Sequence, residues 1–449
     1  MLQKTFHIIT FGCQMNVHDS QWLGGALRAR GFAEAPLEDA QVVVVNTCSV
    51  REKPEQKVMS ALGRIRQVTG GDPRVLVGVA GCVAQQLGTT FFEKEPQVRL
   101  VAGSDGIGAA PAAIERLLDA PALRLSLLDF TESYVEREPG APGPTQPVAY
   151  VNIMQGCDNF CTYCIVPYTR GRQKSRSSAA ILDECRAALE NGAREITLLG
   201  QNVNAFGRDS RGDGVSFARL LALVAALPGL ERLRYVTPHP KDMGPEDVEA
   251  FAALPQLCPR LHLPLQAGSD VVLKRMHRRY DRAAYLDLAA RLRAARPDLA
   301  LSTDLIVGFP GETEADFAAT LEMVRACGFM SSFSFCYSDR PGARAALLPD
   351  KIPVAVARDR LLRLQALQDE LGARWLQSRV GATTTLLLEG PSPREGDAAA
   401  PSWQGRDPYG APVHVPLPVG ADYCGKMARV VIVAAKKHSL VARLQGDVW

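Results

Sequence analysis

Cys157, Cys161 and Cys164 lie in Gly156-Cys157-Asp158-Asn159-Phe160-Cys161-Thr162-Tyr163-Cys164, a C-x3-C-x2-C spacing with no fourth cysteine nearby. A ferredoxin-type 4Fe-4S site uses four thiolates, one per iron. Three thiolates leave one iron without a protein ligand and free to bind a reacting molecule. The plainer alternative is a zinc knuckle. Structural zinc, however, is closed by four ligands, usually in C-x2-C pairs, and no His or Cys follows here at such a spacing. The spacing favours an open iron-sulfur cluster.

A second set is spread along the first hundred residues. Cys13, Cys48 and Cys82 occur in Thr10-Phe11-Gly12-Cys13-Gln14-Met15-Asn16, Asn46-Thr47-Cys48-Ser49-Val50-Arg51 and Ala80-Gly81-Cys82-Val83-Ala84-Gln85. Each follows a β-branched or apolar run, and the intervals are about one strand-plus-helix unit. Gly12 and Gly81 directly precede two of them, which suits tight turns at strand ends. Taken singly, each cysteine is as readily a small buried hydrophobe. Their recurrence at equivalent positions points to a second, auxiliary cluster with its own open iron. Cys185, Cys258, Cys327, Cys336 and Cys424 fall into no ligand spacing and read as core or surface thiols. Eleven cysteines, scattered without secretory features, argue against a disulfide framework and for metal or redox chemistry.

The elements that must position these residues follow from hydrophobic pattern. Runs at 6–10, 41–45, 74–80 and 98–102 read as strands, and 21–30 and 51–68 as helices. This βαβα order predicts a doubly wound parallel sheet, whose ligands gather at the carboxyl ends of strands. Residues 138–147, rich in Pro and Gly, read as a linker after a first domain at 1–137. From 148 to 378, strands at 148–154, 195–199, 232–237, 260–265, 301–307 and 331–337 alternate with helices such as 179–191 and 314–327. Six repeats predict a partial (β/α)6 barrel with the C-x3-C-x2-C loop at its C-terminal face. Gln201, Asn202, His239, Gln266, Gly308 and Glu312 fall at strand ends on that face and are candidate cofactor contacts. Glu312 fits a helix N-terminal carboxylate equally well, and His239, between two prolines, fits a structural hydrogen bond equally well.

Residues 379–449 change to short strands at 383–389, 413–416 and 427–434, predicting a small antiparallel β-barrel. Arg394, Arg406, Lys426, Arg429, Lys436, Lys437 and Arg443, with Trp403 and Tyr409 as stacking surfaces, suit an RNA-binding module. A dimerisation or packing module is the competing reading. Four cations at Arg170, Arg172, Lys174 and Arg176 read either as a solvated face or as a phosphate-contacting rim.

The chain has 449 residues, 47% hydrophobic and 22% charged, enough for two to four domains. The net charge of +3 does not by itself argue for nucleic acid. No apolar run approaches the ~18 to 20 residues of a membrane span, the longest being broken at Pro228 and Gly229. The N-terminus lacks a signal-peptide core, so a cytoplasmic protein is expected; a monomer is expected as well.

The three-cysteine loop after the first barrel strand resembles that of the radical S-adenosylmethionine (SAM) enzymes, whose open iron binds the methionine end of the cofactor. Together with Cys13, Cys48 and Cys82, the whole chain resembles the methylthiotransferases, which join an N-terminal three-cysteine domain, a radical SAM domain and a C-terminal TRAM domain. Gly12-Cys13-Gln14-Met15-Asn16, Asn46-Thr47-Cys48-Ser49-Val50-Arg51-Glu52-Lys53 and Pro167-Tyr168-Thr169-Arg170-Gly171 are similar to the MiaB branch. That branch adds a 2-methylthio group to isopentenylated adenosine beside the tRNA anticodon. The branches acting on threonylcarbamoyl-adenosine or on a ribosomal-protein aspartate carry lysine-valine or proline-lysine where Gln14-Met15 stands. Ser338-Asp339-Arg340-Pro341-Gly342-Ala343 and Gly405-Arg406-Asp407-Pro408-Tyr409-Gly410 depart modestly from the family pattern. The resemblance implies two 4Fe-4S clusters, each held by three cysteines, with SAM, a tRNA anticodon stem-loop and a low-potential donor such as flavodoxin. Radical abstraction of the adenine hydrogen at one cluster would be followed by sulfur and methyl transfer from the other.

Overall fold

The computed structural model describes residues 3–49, 54–138, 140–141, 143, 145–210, 212–393 and 401–449. Val50 to Lys53 of the second cysteine motif, Pro139, Pro142 and Pro144 of the linker, and Arg394 lie outside the described residues.

Six parallel strands form the first sheet: β1 (Thr5–Thr10), β2 (Ala33–Glu34), β3 (Val42–Thr47), β4 (Leu76–Gly81), β5 (Val98–Ala102) and β6 (Leu125–Leu127). Their order is β2-β1-β3-β4-β5-β6. The unbroken valine-rich runs of β3, β4 and β5 are buried at every residue, as central parallel strands with both faces covered require. The short edge strands β2 and β6 carry too little pattern to read in advance. The strand order reverses between β1 and β3, so the crevice for a ligand opens between their ends. Cys13 and Cys48 stand there.

The first helix, Gln14–Ala29, starts directly after Cys13, well before the expected 21–30. Its first turns bury Asn16, His18 and Asp19, polar residues that mask the apolar period.

The central barrel is an open arc of two three-stranded parallel sheets. One joins β7 (Val148–Asn152), β10 (Glu195–Leu199) and β11 (Arg232–Tyr235), and the other β12 (Arg260–His262), β13 (Ala300–Val307) and β14 (Ser331–Cys336). The sheets meet where Leu233 N–H donates to Gln256 O at 2.7 Å and Cys258 N–H to Leu233 O at 2.9 Å. Helices including Ser178–Glu190, Arg282–Ala295 and Glu314–Cys327 pack outside. A short hairpin of β8 (Met154–Gln155) and β9 (Lys174–Ser175) flanks the cysteine loop.

β15 (Thr383–Pro391), β16 (Ser402–Arg406), β17 (Pro412–Pro416), β18 (Met427–Ala435) and β19 (Leu440–Val448) close a barrel in the order β15-β16-β17-β19-β18. The expectation of a purely antiparallel barrel is corrected at one seam, since β17 and β19 run parallel. A closed ring of five strands cannot alternate direction throughout. This barrel is gripped by arginines at the starts of β11 and β12. Arg232 donates to Arg406 O and Thr385 O, each at 2.8 Å, Arg234 to Pro408 O at 2.8 Å, and Arg260 to Tyr409 O at 3.1 Å. It thus sits at the end of the central barrel opposite the cysteine loop. Among the described residues no helix is long and apolar enough to cross a membrane.

Candidate active site: two cysteine pockets across one interface

Glycine backbone sets the first pocket. Gly12 has φ +126°, and a Cβ there would lie 2.3 Å from Cys48 Cβ, so only glycine lets the ends of β1 and β3 come together. Gly81, at φ +90°, would place a Cβ 2.4 Å from Thr47 O. Cys13 caps one helix and Cys82 begins another, Cys82–Leu87. Thr47 Oγ1 donates to Ala80 O at 2.6 Å and accepts from Val83 N–H at 3.2 Å, tying the end of β3 to the turn at Cys82. Asn16 Nδ2 donates to Asn46 Oδ1 and Thr47 O, both at 2.9 Å. Cys13, Cys48 and Cys82 are thereby brought to adjacent strand ends. A hydrogen bond from Cys48, opposed by burial and aided by the Arg170 charge, brings the Cys13 thiol down to about 6.

The second pocket is the loop after β8. Gly156, at φ +82°, abuts Arg172 O, and Cys157 N–H donates to Gly171 O at 3.2 Å. Cys164 N–H donates to Cys161 O at 3.0 Å, and Arg278 Nη1 to Cys161 Sγ at 3.5 Å. Burial pushes the Cys157 thiol up to about 11 and the Cys164 thiol up to about 12. Ligation to a metal cluster would release those protons.

The rim candidates divide. Gln201 joins the two pockets: its Oε1 accepts from Gly156 N–H at 2.5 Å, and its Nε2 rests on Met15 Sδ. Asn202 donates to Asp242 Oδ2 at 2.7 Å. His239 Nδ1 accepts from Lys241 N–H at 3.2 Å, and burial with nearby Arg278 and Lys241 keeps the ring neutral. Glu312 is not the helix N-cap, which is Thr313; its Oε2 accepts from Gly308 N–H at 2.7 Å and Arg360 Nη1 at 2.8 Å. Gln266, at φ +72°, bridges to β13 through its backbone, at the same rim.

Asn202 Oδ1, His239 Nε2 and Glu312 Oε1 are buried without a hydrogen-bond partner, as are Ser49 Oγ and Arg170 Nη2 beside the first pocket. Buried orphans of this kind leave room for a polar partner, a water or a ligand. The residues therefore fit an amino-acid-bearing cofactor at the rim and thiolate-bound clusters in both pockets. Among the described residues no group of His, Cys, Asp and Glu is arranged to hold a single metal ion. A polynuclear cluster, with one thiolate per iron, has no need of such convergence.

Two expectations are corrected. The basic run is neither a solvated face nor a phosphate rim. Arg170, Lys174 and Arg176 are buried between the first sheet and the barrel, paired with Asp19, Asp105, and Glu136 plus Glu184, while exposed Arg172 is held by Asp158. Asp19, Asp105 and Glu136 lie far away in sequence, so no local signal could reveal them. Trp403 and Tyr409 are not stacking surfaces: both are 8% exposed, Trp403 packed edge-on against Tyr423 and Tyr409 under Arg379.

The Radical SAM superfamily model matches residues 151–324, and that of uncharacterized protein family UPF0004 matches residues 5–103. A tRNA-2-methylthio-N(6)-dimethylallyladenosine synthase from Nitratidesulfovibrio vulgaris (strain DP4) is 62% identical over 450 residues, covering all of both chains. The protein of the same description from Oleidesulfovibrio alaskensis is 58% identical, again over all of both. Among solved structures, the radical SAM methyltransferase TsrM from Kitasatospora setae aligns with a TM-score of 0.56 at 16% identity, covering 77% of this chain and 74% of its own. That likeness bears on the fold alone.

Proposed function

The chain belongs to the tRNA-2-methylthio-N(6)-dimethylallyladenosine synthase family, and we infer from this how its two cysteine pockets divide the work. The protein is a radical SAM methylthiotransferase that converts N6-isopentenyladenosine next to the tRNA anticodon to its 2-methylthio form, and its cofactors are SAM and 4Fe-4S clusters.

We assign one cluster to Cys157, Cys161 and Cys164 and the other to Cys13, Cys48 and Cys82. When bound, the first cluster with SAM supplies the radical chemistry that breaks the adenine C–H bond, and the second supplies the sulfur. The protein's part is to hold, orient and exclude water. Gln201 couples the Gly156 turn of one loop to Met15 of the other, which keeps the two pockets in register. Asn202, His239 and Glu312 offer buried groups still lacking partners to the cofactor's polar end. His239, kept neutral with Nδ1 accepting from Lys241 N–H, offers Nε2–H as a donor and brings no charge. The unpaired anticodon-loop base needs only a few kcal/mol to leave its stack.

The observation that carries this reading is that two three-cysteine sets, far apart in sequence, lie on either side of one buried interface. We take 1–137, 148–378 and 379–449 as the working units, the last as a TRAM module contacting the anticodon stem-loop. We further propose that the protein works in the cytoplasm as a monomer, reduced by a low-potential donor such as flavodoxin.

Two experiments test the assignment. Replacing Cys157, Cys161 and Cys164 by alanine should halve the iron content and abolish SAM cleavage; persistent cleavage would refute it. Nucleoside mass spectrometry of tRNA from a deletion strain should show the isopentenyl precursor accumulating in place of the 2-methylthio product. A missing threonylcarbamoyl derivative or an unmodified ribosomal-protein aspartate would redirect the substrate.

A further inference from the structure

Arg170 belongs by sequence to the loop of Cys157, Cys161 and Cys164, and by position to the other pocket. It ends the short helix Val166–Thr169, its N–H donating to Val166 O at 2.8 Å. That helix packs on Cys82–Leu87, and Ser104 Oγ donates to Thr169 O at 2.8 Å. The Arg170 side chain is 4% exposed, yet its Nη2 has no hydrogen-bond partner. Asp19 Oδ2 is 3.8 Å away, beyond hydrogen-bond reach, and Asp19 Oδ1 is already taken by Arg137 at 2.8 Å. The charges that act on Arg170 are those of Cys82, Asp19 and Cys13, opposed by Arg137, and Cys82 also lies within hydrogen-bonding reach of its side chain. Burying a guanidinium with an idle donor is costly. Asp19 Oδ2, the carboxylate oxygen facing it, is likewise buried without a hydrogen-bond partner, so the two do not satisfy each other, and the sulfurs of the cysteine pocket are the remaining groups that would repay the cost.

We propose that Arg170 is a positioning residue for the cluster held by Cys13, Cys48 and Cys82, its free donor directed to that cluster's sulfur edge and its charge offsetting that of the thiolates. The proposal rests on the cluster assignment made above. Hydrogen bonds to sulfur and local charge set iron-sulfur potentials, and such outer partners fix the ligands. Losing a neighbouring cation favours the oxidised cluster and lowers its midpoint. Losing the Asp19 counter-charge leaves Arg170 less compensated and raises it.

The test uses the full-length chain with Cys157, Cys161 and Cys164 replaced by alanine, reconstituted with iron and sulfide so that one cluster gives the signal. Iron content and an EPR-monitored redox titration are compared for R170M, R170K and D19N in this background. R170M should lower the one-electron reduction equilibrium at least tenfold, about 59 mV; R170K should recover most of the shift, and D19N should move the midpoint the opposite way. A purely structural arginine would change iron content or melting but leave the midpoint in place, and that result overturns the proposal. If R170M takes up no iron, D19N decides it: a raised midpoint in D19N, with R170K close to the parent, supports the proposal, and an unmoved D19N midpoint ends it. A parent that takes up no iron sinks the cluster assignment and this inference together, whereas a loaded parent with unmoved variants removes only Arg170.

Discussion

The buried pair of Lys174 and Asp105 offers the sharpest test of the sheet–barrel interface. Both side chains are 4% exposed. Lys174 Nζ also donates to Thr131 O at 3.1 Å and Thr131 Oγ1 at 2.9 Å. K174M keeps the apolar stem and deletes the charge, leaving a buried carboxylate without its cation. Removing one partner of a buried pair costs ~3–5 kcal/mol. Asp105 would keep Thr131 N–H at 2.7 Å and Gln155, which places the expected loss near the bottom of that range, ~3 kcal/mol, or roughly a hundredfold in the unfolding equilibrium. The double variant K174M/D105N removes the stranded charge and should recover most of the loss, giving a large coupling in a double-mutant cycle. Urea unfolding of the metal-free chain, followed by circular dichroism, reads both quantities. Lys174 also lies on β9, which pairs with the strand leading into the Cys157 loop. In the loaded enzyme, K174M should therefore still cleave SAM while forming less methylthio product per cleavage. A loss under ~1 kcal/mol with no coupling would place the pair in the range of exposed ion pairs and refute the buried-interface argument.

Three other outcomes follow from the geometry. G81A forces a Cβ to 2.4 Å from Thr47 O at a positive φ; iron analysis should show loss of the Cys13/Cys48/Cys82 cluster with the Cys157 loop still loaded. W403A should cost ~3–5 kcal/mol of barrel stability without changing tRNA affinity of the folded fraction, whereas R429Q and R443Q, exposed on β18 and β19, should flatten the salt dependence of tRNA binding. Glu184, although burial opposes it, is held down to about 2 by His18 and Arg176, and His18, likewise opposed by burial, is raised by Asp19 and Glu184. Glu184's contribution exists above its ordinary 4.5 and is lost as pH falls; that of His18 exists below its ordinary 6.5 and is lost as pH rises past its raised value. E184Q should thus destabilise the chain more at about pH 5.5 than at about pH 9, read from urea midpoints.

Both cysteine sets could be singled out in the sequence because their signals are local. Spacing within one loop announces Cys157, Cys161 and Cys164, and repeated strand–Gly–Cys turns announce Cys13 and Cys82. The valine-rich strands β3 to β5 were legible for the same reason. What escaped depends on partners distant in the chain. Arg170, Lys174 and Arg176 look like a solvated stripe until Asp19, Asp105 and Glu136 fold against them. The early start of the first helix was hidden by Asn16 and Asp19, whose burial makes sense only once Asn46, Arg137 and Arg170 are placed. Trp403 and Tyr409 carry a composition suited to nucleic acid, yet the small barrel spends them on its own core and on its contact with the central one.

The charged character of that interface bears on the chemistry. Buried ion pairs are poor sources of stability, since desolvation consumes most of their attraction. Their directional demands are another matter. Arg137 meets Asp19 at 2.8 Å, and Arg176 meets Glu136 at 2.8 Å and Glu184 at 2.6 Å. Each pair tolerates little sliding, whereas an apolar face of equal area could shift with small loss. A reaction that activates a carbon at one cluster and delivers sulfur from another depends on the offset between the two pockets. The paired residues lie beside both cysteine loops, where that offset is fixed, and Gln201 spans the remaining gap between Met15 and Gly156. The pairs are placed where they would act as alignment devices. Replacing a whole pair by apolar residues of similar volume should be felt first in the coupling between cleavage and product, before it is felt in folding.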